Sequence, residues 1–210
     1  MYRTRLRFSK RGALAFIGHL DFLRVFGQTI RRAALPAAFS QGFNPHLLLS
    51  FALPLPLGME SANDYADLVL AEEMPCEEIV RKLNAAAPDG LVVSAAYAVE
   101  DKAAGVVAVA DYFVRGSGTG VKKIEETLAA EEIVIAKKTK KGVRDTDIRA
   151  DIFEIRAENG GVFMRLSAGS ERFLNPLTVA GLLFENETTA AAFTRLELYK
   201  GTKNDTLVSL

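Results

Sequence analysis

This chain has one cysteine, two histidines and no net charge. Cys76 alone excludes an internal disulfide. It equally excludes zinc or iron–sulfur sites built from clustered cysteines of a single chain. A reducing cytoplasm is the expected setting, with no cofactor and no bound metal. No apolar run reaches the ~18 residues that a membrane helix needs. The opening MYRTRLRFSK is charged from its third residue and has no apolar core behind it, so it does not read as a secretory signal. Residues 39–58 hold no Walker or dinucleotide-binding glycine spacing.

The chain has 210 residues, 49% apolar and 25% charged, enough for the cores of two domains. Its zero net charge hides a segregation. Residues 1–50 carry Arg3, Arg5, Arg7, Lys10, Arg11, Arg24, Arg31 and Arg32 against the single acid Asp21. Residues 51–100 carry Arg81 and Lys82 against nine acids. Either a polyanion meets the basic quarter or the two quarters pair with each other.

Residues 2–8 alternate, which predicts a strand with Tyr2, Thr4, Leu6 and Phe8 on one face and three arginines on the other. A helix is expected over His19 to Ala34, with Leu20, Leu23, Gly27, Ile30 and Ala34 as its buried stripe, widened by Phe22, Val25 and Phe26. The stretch FSQGFNPHLLLSFALPLPLG follows, residues 39–58. It predicts a loop at Ser40-Gln41-Gly42, a turn at Asn44-Pro45, a buried strand over Leu47 to Leu53 and a Pro-rich exit. Asn63 to Leu70 and Leu91 to Val99 read as strands flanking a helix over Pro75 to Ala87. The order strand, helix, strand, strand, helix, strand is that of a ferredoxin-like, or split βαβ, unit.

Asp101 to Gly105 reads as a connection. Beyond it the order recurs: strand 107–115, helix 121–130, a strand start at 133–136, a hairpin around Asn159-Gly160-Gly161, a helix 176–184 capped by Asn175, and a strand 193–199. The expectation is an α+β protein of tandem ferredoxin-like units with antiparallel sheets and helices on one face. The domains would be residues 1–100 and 106–200, with an insertion at 137–149 and a loose tail over 201–210.

His19, His46 and Asp21 are the candidate catalytic residues, since two imidazoles and an orienting carboxylate suffice for a metal-independent ribonuclease. His19 equally serves as a plain helix-start residue. His19 and Asp21, two apart, do not share a helix face, so no metal site is expected there. Cys76 sits at a helix start, but Glu77 and Glu78 oppose a thiolate. The run Lys137-Lys138-Thr139-Lys140-Lys141-Gly142 is either a phosphate contact or a solvated loop. Phe51 is expected in the core, whereas the Gly-Phe-Asn-Pro turn either holds Phe43 outward or buries it. A ferredoxin-like sheet with exposed aromatics and arginines can stack bases and hold phosphates.

The blocks RFSKRGALAFIGHLDFLRVFGQTIRRAALP and FSQGFNPHLLLSFALPLPLGMES resemble the uncharacterised bacterial family of radical-SAM-associated, or radical-SAM-linked, proteins. Weaker likeness continues through VRDTDIR, MRLSAGSERFLNP and RLELYK. Leu47 stands where that family usually has a second proline, and Gly169-Ser170-Glu171-Arg172-Phe173 departs from its late motif. The resemblance implies a partner role beside a radical-SAM enzyme, whose cluster-binding three-cysteine motif this chain lacks. It supplies no catalytic residues. The expected function is a non-catalytic adaptor that binds RNA or a ribonucleoprotein through Arg3, Arg5, Arg7, Arg24, Arg31, Gln41, Gly42, Phe43, Asn44 and His46. The alternatives are the ribonuclease and a protein-only docking module using Leu53-Pro54-Leu55-Pro56-Leu57.

Overall fold

The computed structural model describes residues 1–116, 121–139, 142–184, 190–201 and 207–210. The first half runs β1 (Tyr2–Lys10), a 3-10 turn (Gly12–Phe16), α1 (His19–Arg32), β2 (Leu49–Phe51), β3 (Glu60–Leu70), α2 (Cys76–Ala86) and β4 (Leu91–Ala98). A short helix, α3 (Ala103–Val106), lies in the connection. The second half runs β5 (Val109–Arg115), α4 (Val121–Ala129), β6 (Val134–Thr139), β7 (Gly142–Asp147), β8 (Ile152–Glu158), β9 (Gly161–Ser167), α5 (Pro176–Leu183), β10 (Phe193–Lys200) and β11 (Val208–Ser209).

This is a mixed α+β fold around one large, mostly antiparallel sheet. Its main path is β4-β1-β3-β10-β5-β9-β8, with β2 on β3 and β11 on β10. The β1–β3, β1–β4 and β2–β3 ladders are antiparallel. The halves meet where β3 and β10 pair in parallel, Glu60 with Thr194 and Ser61 with Arg195. β6 and β7 form a separate hairpin, so the segment expected to be an insertion is itself paired, in part with the strand predicted before it. Lys140 and Lys141 of the basic run lie outside the described residues.

Leu6, Phe8, Ala66, Leu68 and Leu70 form one core with Phe22, Phe26 and Ile30 of α1 and Ile79 and Leu83 of α2. Ala110, Tyr112, Val114, Met164 and Leu166 form another with Ile124 of α4 and Val179, Ala180 and Leu183 of α5. Both helix pairs cover one face, because Lys10, Ser61, Arg195 and Tyr112 are register partners across adjacent strands. The connection crosses the other face, where Asp67 accepts the Ala103 amide at 2.6 Å.

Several boundaries differ from expectation. α1 turns its face: Leu20 is 68% exposed, while Phe22 and Phe26 pack with Phe8 and Phe51 in an aromatic cluster. Large rings in contact outweigh the periodicity of the smaller residues. α1 stops at Arg32, and Ala34 takes a left-handed φ of 49° there. The strand expected over Leu47 to Leu53 shrinks to three residues, with Leu49 and Phe51 half-buried and Ser50 exposed. Pro75 caps α2 from outside rather than opening it. The end of the tail is held, since Val208 and Ser209 pair with Lys200 and Tyr199. Asn175 caps α5 as expected, its side chain accepting from the Leu177 amide at 3.0 Å. No helix among the described residues is long and apolar enough to cross a membrane.

Candidate functional site

The Gly-Phe-Asn-Pro segment forms a closed loop standing off the sheet. Its base is a bridge between Phe39 and Leu47, and the Ser40 amide donates to the His46 carbonyl at 2.8 Å. The Ser40 hydroxyl accepts the His46 amide at 3.1 Å and lies 2.7 Å from Nδ1 of the same residue. The hydroxyl meets both the backbone and the ring of His46, fixing the ring's Nδ1 edge towards Ser40. Ser40 is thus the lock of the loop. A Ser and a His flanking a Gly-x-Asn-Pro turn carried that signal, yet the sequence reading gave Ser40 no role. Gly42 has φ 118°, a backbone state that favours glycine. Gln41, Gly42, Phe43, Asn44 and His46 are all exposed, and Phe43 is 105% exposed.

Beside this loop, on the sheet face away from the helices, lies an open hollow of about 640 Å³. Arg3, His46 and Lys102 bring donors to it, and Met1, Leu48, Val69 and Val99 give it apolar wall. Asp67 and Glu100 also line it. Asp67 is neutralised from beneath by Arg5, whose Nε donates to it at 2.9 Å.

The arginines of β1 do not form the free cationic face expected of them. Arg5 is 2% exposed and clamped by Asp67 and by Asp101, which takes Nη2 on its backbone oxygen at 3.1 Å and on its carboxylate at 2.9 Å. Arg7 pairs with Glu197 at 2.7 Å, and Glu197 also accepts from the Tyr65 hydroxyl at 2.7 Å. Burial and that carboxylate together push the Tyr65 phenol well above its ordinary value. Arg3 donates to the Glu100 carbonyl and keeps part of its surface at the hollow. The physical reason is the sheet itself. Its second face is roofed by the connection, and a roofed guanidinium must find a carboxylate. On α1, Arg24 pairs with Asp21 at 2.7 Å with both groups exposed, and Arg31 faces solvent.

The two histidines line different hollows. His19 meets the edge of the Phe51 ring at 5.6 Å and borders a crevice of about 10 Å³ shared with Lys10 and Asp64, enough for one water at most. His46 belongs to the loop and the larger hollow. With Asp21 bonded to Arg24, the acid, base and orienting carboxylate expected of His19, His46 and Asp21 are not assembled in one place. Cys76 opens α2 half-buried, followed by Glu77 and Glu78.

Sequence reasoning missed a buried polar cluster where the halves join. Arg195 of β10 is fully buried and donates to Asp64 of β3 at 2.6 Å and to the carbonyls of Leu53 and Pro54 at 2.9 and 3.2 Å. Lys10 is also buried, donating to the Ile17 carbonyl at 3.0 Å over the Phe22 ring. Burial pushes the Lys10 ammonium below its ordinary value, against the pull of Asp64. On the other face, Arg165 holds Asp111 through two 2.7 Å bonds, and the Tyr199 phenol, which donates to Asp111 at 2.8 Å, is pushed up to about 12 by burial and that bond. Strand alternation marks such charges as outward, and only a neighbouring strand turns them inward.

A search of the curated proteins finds no match. Among solved structures, the chain is similar to a crystal structure of an unknown protein from Galdieria sulphuraria, at 11% identity and a TM-score of 0.28, over 80% of this chain and 79% of that one. A likeness that loose says nothing about function. The family profile is more telling, for it runs from within β1 to the start of α5 and takes in the loop, the hollow's lining but for Met1, and the Arg5–Asp67 pair. Residues 3–176 match it, and the chain belongs to that family, described as an uncharacterized protein conserved in bacteria (DUF2344).

Proposed function

We propose that the protein is a non-catalytic, cytoplasmic accessory that holds RNA or a ribonucleoprotein for a radical-SAM enzyme. One observation carries the binding role: Phe43 stands wholly in solvent at the tip of a loop locked by Ser40 and His46. A locked loop with an aromatic tip is preorganised for contact, because its ordering is complete before a partner arrives. Every base offers a face for stacking on such a ring. Among the described residues, Arg3, Lys102 and Arg31 have no carboxylate partner and are the cations of this region that phosphates could meet, whereas Arg5, Arg7 and Arg24 are paired with acids. The strand orders β4-β1-β3-β2 and β10-β5-β9-β8 support reading each half as a ferredoxin-like unit, the second interrupted by the β6–β7 hairpin. The radical-SAM partner rests on the family resemblance of the loop region.

The test is fluorescence anisotropy with labelled single-stranded RNA at low and rising salt. Binding should weaken with salt, and Phe43→Ala should weaken it by about 1–3 kcal/mol. Absence of binding at low salt refutes the RNA role, and cleavage of the RNA in chelator would favour a ribonuclease instead.

A protein-only docking role has one observation in its favour. Phe16, Leu20 and Leu57 are each at least 60% exposed, and the Gly58 amide donates to the Ala15 carbonyl at 2.8 Å, which draws the Pro-rich exit against the 3-10 turn. Leu55, by contrast, is buried and unavailable to a partner. Capture of the purified radical-SAM enzyme without nucleic acid, lost on Leu57→Ser, would select this reading.

A further inference from the structure

We infer that the hollow beside the loop is a site for one nucleoside phosphate, either free or as a unit of an RNA strand. The inference deepens the RNA reading by naming what enters this hollow, and it is framed so that either can fail alone. At about 640 Å³ the hollow falls within the range of small-ligand sites. Its lining has two kinds of chemistry side by side. Met1, Leu48, Val69 and Val99 present apolar surface suited to the face of a heterocycle. Arg3 and Lys102 present donors suited to phosphate oxygens, and the His46 ring stands beside them.

The charge balance favours an anion. Among the described residues, no carboxylate pairs with Arg3 or Lys102; Arg3 spends one Nη on the Glu100 backbone carbonyl only. Asp67 would repel a phosphate were it bare. It is not, since Arg5 and the Ala103 amide satisfy both of its oxygens from the buried side. Glu100 contributes the one remaining acid of the lining, against two cations. The same connection that buries Arg5 carries Lys102 to the rim, so the roof over the sheet both neutralises the floor and supplies a cation. The rigid base of the site is the β1–β3 ladder, where Arg5 lies opposite Asp67 and Arg3 opposite Val69.

Isothermal titration calorimetry with AMP, GMP, CMP and UMP tests this, with adenosine and inorganic phosphate alone as controls. At least one monophosphate should bind, more tightly than adenosine or phosphate. The double variant Arg3→Gln/Lys102→Gln should weaken it about tenfold or more, as expected for two lost charge-assisted bonds. An unchanged denaturation midpoint in that variant confirms that folding is intact; His46→Gln gives a second, loop-side readout. Competition with labelled RNA separates the sources. If monophosphates bind and displace RNA, the hollow takes a strand unit. If they bind while RNA does not bind at all, the hollow takes a free nucleotide, and the RNA reading falls while this inference stands. If RNA binds but neither monophosphates nor the double variant affects it, the inference is overturned and the RNA reading survives. Equal affinity for inorganic phosphate and for every monophosphate also overturns it.

Discussion

Asp64→Ala removes the one carboxylate, among the described residues, bonded to the fully buried guanidinium of Arg195. Arg195 is fully buried, its side chain 1% exposed and that of Asp64 5%. After the substitution Arg195 keeps the carbonyls of Leu53 and Pro54 and its neutral neighbour Tyr112, and the buried Lys10 ammonium loses the anion that attracts it. Breaking a buried pair by deleting one partner costs about 3–5 kcal/mol, because the other charge stays desolvated. With a urea slope of about 2–3 kcal/mol/M for a chain of this size, the midpoint should fall by roughly 1–2.5 M. Equilibrium urea unfolding followed by circular dichroism measures it. The double substitution Asp64→Leu/Arg195→Met removes both charges and should lose much less than Asp64→Ala, since apolar replacement of a whole buried pair is often neutral. A loss under about 1 kcal/mol for Asp64→Ala, the scale of an exposed ion pair, would refute the reasoning. It would mean that water reaches Arg195 at the β3–β10 seam.

Other expectations follow from the same structure. Lys10 is buried with its proton affinity lowered below the ordinary lysine value of about 10.5. Between that lowered value and 10.5 the folded chain has shed a proton that the unfolded chain keeps, so stability should rise with pH across this window; Lys10→Met should flatten the rise in urea midpoints. In α1, a Cβ added at Gly27 meets only Leu47 Cδ2 at 3.7 Å, an ordinary contact. Gly27→Ala should therefore raise stability by about 0.5–1 kcal/mol in thermal unfolding. At the end of the same helix, Ala34 holds φ 49°, so Ala34→Gly should also stabilise, by up to about 1 kcal/mol. Phe43→Ala should leave the unfolding midpoint within about 0.5 kcal/mol of the parent, because a wholly exposed ring has no packing to lose; a larger fall would place the ring in a contact that stabilises the fold.

The elements of both halves were legible because their signals are local. Alternation in YRTRLRF, the acidic first turn of α2, the Asn-Gly turn before β9 and the Asn175 cap each act within a few residues. The loop was legible for the same reason: glycine and Asn-Pro act on their own backbone, and they hold Phe43 out as one of the two readings anticipated. Leu20 was misplaced because the helix rotates to seat Phe22 and Phe26 against Phe8 and Phe51, a choice made by residues from two strands.

By itself, then, the sequence determined the main strands and helices of each half, the single thiol that excludes a disulfide, the excess of positive charge in the first fifty residues and the turn at Gly42 to Pro45, while α3, β7 and β11 went unforeseen. Tertiary structure alone decided where that charge goes. Burial depends on what lies above a strand face, and the roof over Arg5 is a segment nearly a hundred residues away, while the partner of Arg7 lies 190 residues away. Alternation tells which side of a strand a guanidinium leaves from, but not whether water or a carboxylate is waiting there. The β3–β10 pairing, which buries Arg195 against Asp64 and joins the halves into one sheet, is the same kind of decision, because long-range pairing leaves no local mark on either strand.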